Sequence, residues 1–539
     1  MGKKVGIDLG TTYSCVAYLN DNGGLEVVKN MDGNNTTPSV VFFDPDGKTV
    51  VVGEQARAGA IMAPENIVER IKSQMEKKDY TINVCGTEYS PTAVSSIILR
   101  KLKEDAENYL GDTIDGCVIT CPAYFGTIAK SATLEAAKGA GLNVYSIINE
   151  PTAAAFAYAY IKNEDINKTV MIYDLGGGTF DCTLMKMDFS GDSKRLNVIA
   201  SNGDPFLGGK DWDNELRNYV VEQFCNATGT DIDTMTADPE CMTELSEVIE
   251  KTKKQLTARE TVKVPVSYGG EKQIIEVTRD TFDSLTESLL QKTVSLVNAM
   301  LSKENLTIDV VDEIILVGGS TYMPQVTKCL EATYGKPLFS FEPNEAVAKG
   351  AALMAAFSYD LGQDGSEQGD SANPADPADP SAPQPQGDEK GFSIIDKSGK
   401  TIVVEDIINK SYGVKVYDPS QKKYFISNIL IAGTAKPCSG KLDNIVTGGA
   451  THITVCETDE KDGIVEYDEA FDVYSGPLNF PAGLPGDTPA EVHFNLDMSG
   501  ILSIKVLAAD TETDLVFDPT TGGATKEGLE TAQKLQLGC

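Results

Sequence analysis

The chain has 539 residues, 41% of them apolar, and a formal net charge of −34; it is too long for one hydrophobic core, and a surface this acidic repels nucleic acid and anionic membranes, which excludes both as partners. No apolar run reaches the roughly 18 residues needed to cross a bilayer, and Met1-Gly2-Lys3-Lys4 leads straight into an apolar strand, so the expected location is cytoplasmic. Eleven scattered cysteines fit reduced thiols, and the only histidines, His452 and His493, exclude a histidine-based triad from the N-terminal half.

In chain order, residues 1–358 alternate apolar strands with amphipathic helices, the pattern of an α/β domain. Val5-Gly6-Ile7-Asp8-Leu9-Gly10-Thr11-Thr12 is a strand that ends in an acid, a glycine and hydroxyls. Ser90-Pro91 predicts a helix start and Gly111 its stop, with Val94, Ile97, Ile98, Leu102 and Leu110 on or near one face. A strand over Gly116–Thr120 leads to Cys121-Pro122-Ala123-Tyr124-Phe125 and an alanine-rich helix; a second strand, Val144–Ile148, leads to Asn149-Glu150-Pro151-Thr152-Ala153-Ala154-Ala155, a small-residue helix suited to close packing. The first loop pattern returns as Asp174-Leu175-Gly176-Gly177-Gly178-Thr179-Phe180-Asp181, and more loosely as Leu316-Val317-Gly318-Gly319-Ser320. Residues 359–392, rich in Pro, Asp, Ser and Gly, read as a disordered acidic linker. Short alternating stretches such as Thr451–Cys456 and Glu491–Leu496 place an antiparallel β domain at 393–520, and 521–539 is a short helix or disordered tail.

Backbone N–H groups at glycine turns converge on phosphate oxygens, and glycine permits the close approach. Three such loops in one domain predict a nucleotide-phosphate cleft. Asp8 and Asp174 are the carboxylates that would hold hydrated Mg²⁺, Thr11, Thr12 and Thr179 would donate to phosphate, and Glu150 would orient the attacking water. The likeness of the first two loops implies a duplicated, two-lobed domain, the actin-like ATPase plan.

The motifs at Gly6–Ser14, Pro122–Phe125, Asn149–Ala155, Asp174–Asp181 and Leu207-Gly208-Gly209 together closely resemble the heat-shock 70-kDa (DnaK-type) chaperone family. The resemblance implies an actin-like ATPase domain followed by a β-sandwich peptide-binding domain, with hydrolysis of ATP to ADP controlling the grip on extended hydrophobic polypeptide. It implies ATP/ADP and Mg²⁺ as cofactors, with K⁺ as a further candidate ion, a J-domain co-chaperone and a nucleotide-exchange factor as partners, and a part in the stress response. Lys72 matches the lysine that reaches the phosphates, and Asp181 completes the ion site. Gly10, Tyr13, Gly176, Gly177, Gly178, Gly208, Gly209, Gly318, Gly319, Ser320 and Tyr322 match nucleotide-contacting positions, and Glu250, Lys253, Lys254 and Thr257 those that meet base and ribose. Tyr322 and Lys130 stand where the family usually has arginine, and the first lobe is shorter than usual between Lys72 and Pro122.

The same resemblance makes Val403-Val404-Glu405-Asp406-Ile407 the segment that docks on the ATPase domain and puts Val414, Val416 and Tyr417 near the peptide channel. It also makes the chain a short member without the helical lid, with faster peptide exchange. Two other readings keep the fold: a filament-forming or scaffold ATPase, and a small-molecule kinase.

Overall fold

The computed structural model describes residues 2–60, 63–162, 167–189, 193–357, 392–395, 401–446, 452–477, 488–508, 511–515 and 526–538. The expected linker at 359–392 lies almost wholly outside them.

The duplication expected from the loops is present in the strands. In the first lobe, Lys3–Asp8 pairs antiparallel with Tyr13–Leu19 and parallel with Ile114–Cys121, which pairs parallel with Val144–Asn149. In the second, Asn167–Leu175 pairs antiparallel with Phe180–Asp188 and parallel with Glu313–Val317, which pairs parallel with Leu338–Ser340. Each acidic glycine loop is therefore the turn of a hairpin whose first strand is buried in mid-sheet. Such strands read as unbroken apolar runs because both faces are covered.

The helix predicted after Ser90 runs Pro91–Leu110: the Ser90 side chain accepts from the Ala93 N–H, and Gly111 ends it with φ 64°. Its face of Val94, Ile97, Ile98 and Leu102 is buried in the first lobe's core. Between the sheets, Glu150–Lys162 packs on Ala346–Phe357. A Cβ on Gly350 would lie 1.8 Å from the Ala153 carbonyl oxygen, so this contact requires glycine, as the small-residue pattern predicts.

Beyond the linker, two antiparallel sheets form a sandwich. One runs Ile464–Glu466, Lys423–Leu430, Ser411–Asp418, His452–Thr458, Phe471–Pro477; the other runs Cys438–Val446, Pro489–Leu496, Leu502–Ala508, Thr511–Leu515. Val414, Val455, Val492, Phe494, Ile504 and Val506 fill the space between them.

One feature differs from the sequence-based boundaries. The expected β-domain start at 393 cuts through a ribbon, Phe392–Ile395 with Thr401–Glu405, that belongs to the second lobe: Thr401–Glu405 pairs in parallel with Ser193–Asn197, extending that lobe's sheet. The open edge of Ser193–Asp204 supplies unpaired backbone groups that the apolar Val403 and Val404 satisfy while burying their side chains. At the C-terminus, where a short helix or disordered tail is expected over 521–539, the helix is present as Lys526–Lys534, followed by a two-residue strand, Gln536–Leu537, and both pack on the first lobe.

Candidate active site

The loops Gly10–Thr12 and Gly176–Thr179 face each other across the gap between the lobes. A Cβ on Gly177 would come within 2.2 Å of Thr12 Oγ1, and one on Gly178 within 2.8 Å of Thr11 Cγ2. The glycines are what let the loops approach so closely. Gly318 has φ +82°, and a Cβ there would sit 2.5 Å from Asp174 Oδ1, so the third loop is held against the second. The Gly10 turn is braced from behind: its N–H donates to Ser14 Oγ (3.2 Å) and its carbonyl accepts from Ser39 Oγ (2.7 Å).

These loops line a cleft of about 970 Å³. Of the residues expected at the site, Asp8, Gly10, Thr11, Thr12, Tyr13, Lys72, Glu150, Asp174, Gly176, Gly177, Thr179, Glu250, Lys253, Lys254, Thr257, Gly318, Gly319, Ser320 and Tyr322 line it. Gly178, Gly208, Gly209 and Asp181 stand behind the lining. Gly208 packs against the backbone of Gly178, where a Cβ would meet it at 2.5 Å, and Gly209 donates to the Gly176 carbonyl (2.9 Å). These glycines support the Gly176–Thr179 loop from the rear.

At the bottom of the cleft, Lys72 Nζ meets Glu150 Oε1 at 2.6 Å, and both side chains are buried. Asp8, Asp174 and Asp181 surround the pair. Burial, with Glu150 adding to it and Lys72 opposing, pushes the Asp8 carboxyl up to about 7; burial and Glu150 drive Asp174 and Asp181 well above the usual carboxylate range. Burial alone would lower Lys72, but Glu150 and Asp8 hold its ammonium above its ordinary value. One cation thus stands among four carboxylates, an arrangement with room for added positive charge. Among the described residues no three acids close around an ion by themselves. That suits Mg²⁺, which keeps several waters and takes one or two carboxylates together with phosphate oxygens. The donors fit: Asp8 and Asp174 face the cleft, and Thr12 Oγ1 and Asp181 Oδ1 are buried without a hydrogen-bond partner.

At the outer end, Tyr13 from the first lobe donates to Glu250 Oε1 (2.7 Å) on the second lobe's helix Pro239–Leu256, and Arg57 reaches Glu250 Oε2 (3.2 Å). Lys254 Nζ lies 2.8 Å from Glu250 Oε1 and 4.7 Å from the Tyr13 ring centroid. Burial works against the Glu250 charge, yet Arg57 and Lys254 hold its carboxyl down at about 2. Lys253 instead bonds Asp213 Oδ2 (2.7 Å) and the Gly209 carbonyl (2.9 Å). Arg57 and Asp213 escaped the sequence reading because neither stands in a loop motif; only the fold brings them to Tyr13 and Lys253.

The cleft meets the sandwich through Asn149, next to Glu150. Asn149 Nδ2 donates to Asp406 Oδ2 (2.9 Å), which also pairs with buried Lys436 (2.9 Å). Leu502 N donates to Thr127 Oγ1 (2.9 Å), and Ile128 enters the sandwich core. Lys130 is buried at this same junction, its ammonium lowered by burial and by Lys436. In the sandwich, Val416 (36% exposed) and Tyr417 (51%) are at the open surface. Val414, expected beside them, is 4% exposed in the core, because it pairs in mid-sheet with Ser427 and Val455.

Two mirrored lobes with acidic glycine loops over a lysine–glutamate pair define an actin-like ATPase fold. The profile of the family described as Hsp70 protein matches residues 4–361, and the chain belongs to the Hsp70 family. Members of that family are ATPases that bind nucleotide with Mg²⁺ and act as chaperones on unfolded polypeptides together with co-chaperones.

Proposed function

We propose that this protein hydrolyses ATP in the cleft and uses the nucleotide state to control how its β sandwich holds extended hydrophobic polypeptide. The observation that carries the reading is the continuity from Glu150 through Asn149 to Asp406 and Lys436: one hydrogen bond and one ion pair link the residue beside Glu150 to the sandwich.

In the first step, water attacks the γ-phosphorus of ATP, an oxygen–phosphorus bond forms, the bond to the ADP oxygen breaks, and ADP, phosphate and a proton result. Glu150 would accept a hydrogen bond from that water and orient it. The Lys72 ammonium neutralises charge on the transferred group, and the hydroxyls of Thr11, Thr12 and Thr179 with the N–H groups of the glycine loops hold the phosphate chain. Mg²⁺ held through Asp8 and Asp174, with Asp181 behind, would supply further neutralisation of phosphate charge. Tyr13, Glu250, Lys254 and Thr257 form the nucleoside end, with Tyr322 opposite as a stacking surface. Val416 and Tyr417 belong to the client-binding face, and the partners are a J-domain co-chaperone and an exchange factor working in the cytoplasm.

Phosphate release by the purified chain with ATP and Mg²⁺, with no acceptor added, tests the chemistry; Glu150→Gln should abolish it while retaining ATP binding. Phosphate transfer confined to an added small molecule would replace this reading with a kinase.

A further inference from the structure

Both ends of the β sandwich are tied to the ATPase domain, but to different lobes. Before the sandwich, Thr401–Glu405 pairs with Ser193–Asn197 of the second lobe. After it, the 526–538 segment is seated in the first lobe. Leu529, Ala532 and Leu535 join that lobe's core with Leu99, Leu102 and Ala136. Gln536 and Gly538 donate to the carbonyls of Lys48 (2.8 Å) and Val50 (2.8 Å), covering the outer edge of Thr49–Val52. Arg100 Nη1 donates to the final carbonyls of the helix, Gln533 O (3.0 Å) and Ala532 O (3.4 Å), where a cation favours the helix dipole. The lobe is shaped to receive it: a Cβ on Gly139 would lie 2.9 Å from Leu529 Cδ1, and Gln533 Nε2 donates to the Gly139 carbonyl (3.1 Å).

We propose that the 526–538 segment is a permanent part of the first lobe, anchored whichever nucleotide is bound, so that the chain before the sandwich is held on the second lobe and the chain after it on the first. All the contacts given above for this segment are with a single lobe, and none of its partners lines the nucleotide cleft. A contact confined to one rigid body has no differential energy when the bodies move, so nucleotide cannot select against it. The ribbon before the sandwich is different. It pairs with the second lobe while its neighbour Asp406 bonds the first, so relative movement of the lobes must load it. A rotation of one lobe against the other then shifts the anchor before the sandwich relative to the anchor after it.

The anchoring itself is independent of the chaperone reading; its consequence for client release rests on that reading. Hydrogen exchange on the full chain with ADP, and again with ATP, tests the anchor. The amides of 529–538 should exchange about a hundredfold or more slower than an open chain under both nucleotides, and at matching rates. Open-chain rates under either nucleotide would overturn the proposal. The double variant Leu529→Asp/Leu535→Asp tests the consequence. It should lose protection in 529–538 and in Thr49–Val52 while keeping phosphate release without client within about twofold, and the ratio of peptide release rates with ATP and ADP should fall several-fold. If the segment is unseated and that ratio is unchanged, the two-sided loading is wrong though the ATPase and chaperone readings stand. If wild-type protein shows no nucleotide effect on peptide release, the chaperone reading fails while the exchange result still decides the anchor.

Discussion

Replacing Lys72 by alanine removes the cation at the bottom of the cleft. Its ammonium lies 2.6 Å from Glu150, and its nearest charged neighbours are acids, so no other described side chain in that cluster can take its place. Removing one preorganised contact to developing charge in a water-excluded site raises the barrier by about 3 to 4 kcal/mol, a loss of two to three powers of ten in kcat. The same change leaves Glu150 buried without its partner, a defect that costs about 3 to 5 kcal/mol when one member of a buried pair is deleted. The thermal midpoint should therefore fall by several degrees while unfolding stays cooperative. Single-turnover phosphate release at saturating ATP, with far-UV circular dichroism as the folding control, measures both. A folded Lys72→Ala protein that hydrolyses ATP within about threefold of the wild-type rate would show that the pair is structural and that the chemistry lies elsewhere.

Three further outcomes follow from the geometry. Asp8 is raised to about 7 in the folded protein against 3.8 ordinarily, so the folded state prefers its neutral form and nucleotide-free stability declines as pH rises from about 4 to about 7. An ion needs the carboxylates ionised; the gain in thermal midpoint on adding Mg²⁺ and ADP should therefore grow through about pH 7, and a gain larger at acid pH would contradict it. Glu457 is buried against Gly126 where the sandwich meets the first lobe; burial pushes it to about 7, with Lys410 opposing and Glu76 reinforcing. Glu457→Gln should therefore raise the midpoint clearly more at about pH 8 than near pH 5, whereas an equal shift at both would locate the effect outside titration. Gly350→Val forces a side chain into the Ala153 carbonyl and should destabilise by about 3 kcal/mol or more in denaturant unfolding; an unchanged midpoint would mean that the two central helices are not in close contact.

The parts legible in the sequence are those whose signals are local. Ser90, Pro91 and Gly111 bounded a helix because caps act within one turn, and the Asp8 and Asp174 loops stood out because acid, glycine and hydroxyl fall in consecutive positions at the end of an apolar strand, and both line the cleft. The parts that escaped depend on partners far along the chain. Nothing in Val403-Val404 says that its edge partner is Leu196, and nothing in Leu529 or Leu535 says that a groove beside Gly139 awaits them. Arg57 stands in no motif, and only the fold brings it to Tyr13 and Glu250. Val414 shows a subtler gap: alternation places Val414 and Val416 on the same face of a strand, but only sheet position tells that the first is covered and the second open.

On the proposed function, nucleotide in the cleft governs the grip of the sandwich. The direct test is the dissociation rate of a fluorescent extended hydrophobic peptide from the full chain, measured by stopped flow with ATP and with ADP. Faster release with ATP, retained in Glu150→Gln because binding rather than hydrolysis opens the site, is the predicted result. Identical rates under the two nucleotides would contradict the account and leave an ATPase whose β domain answers to something other than the cleft.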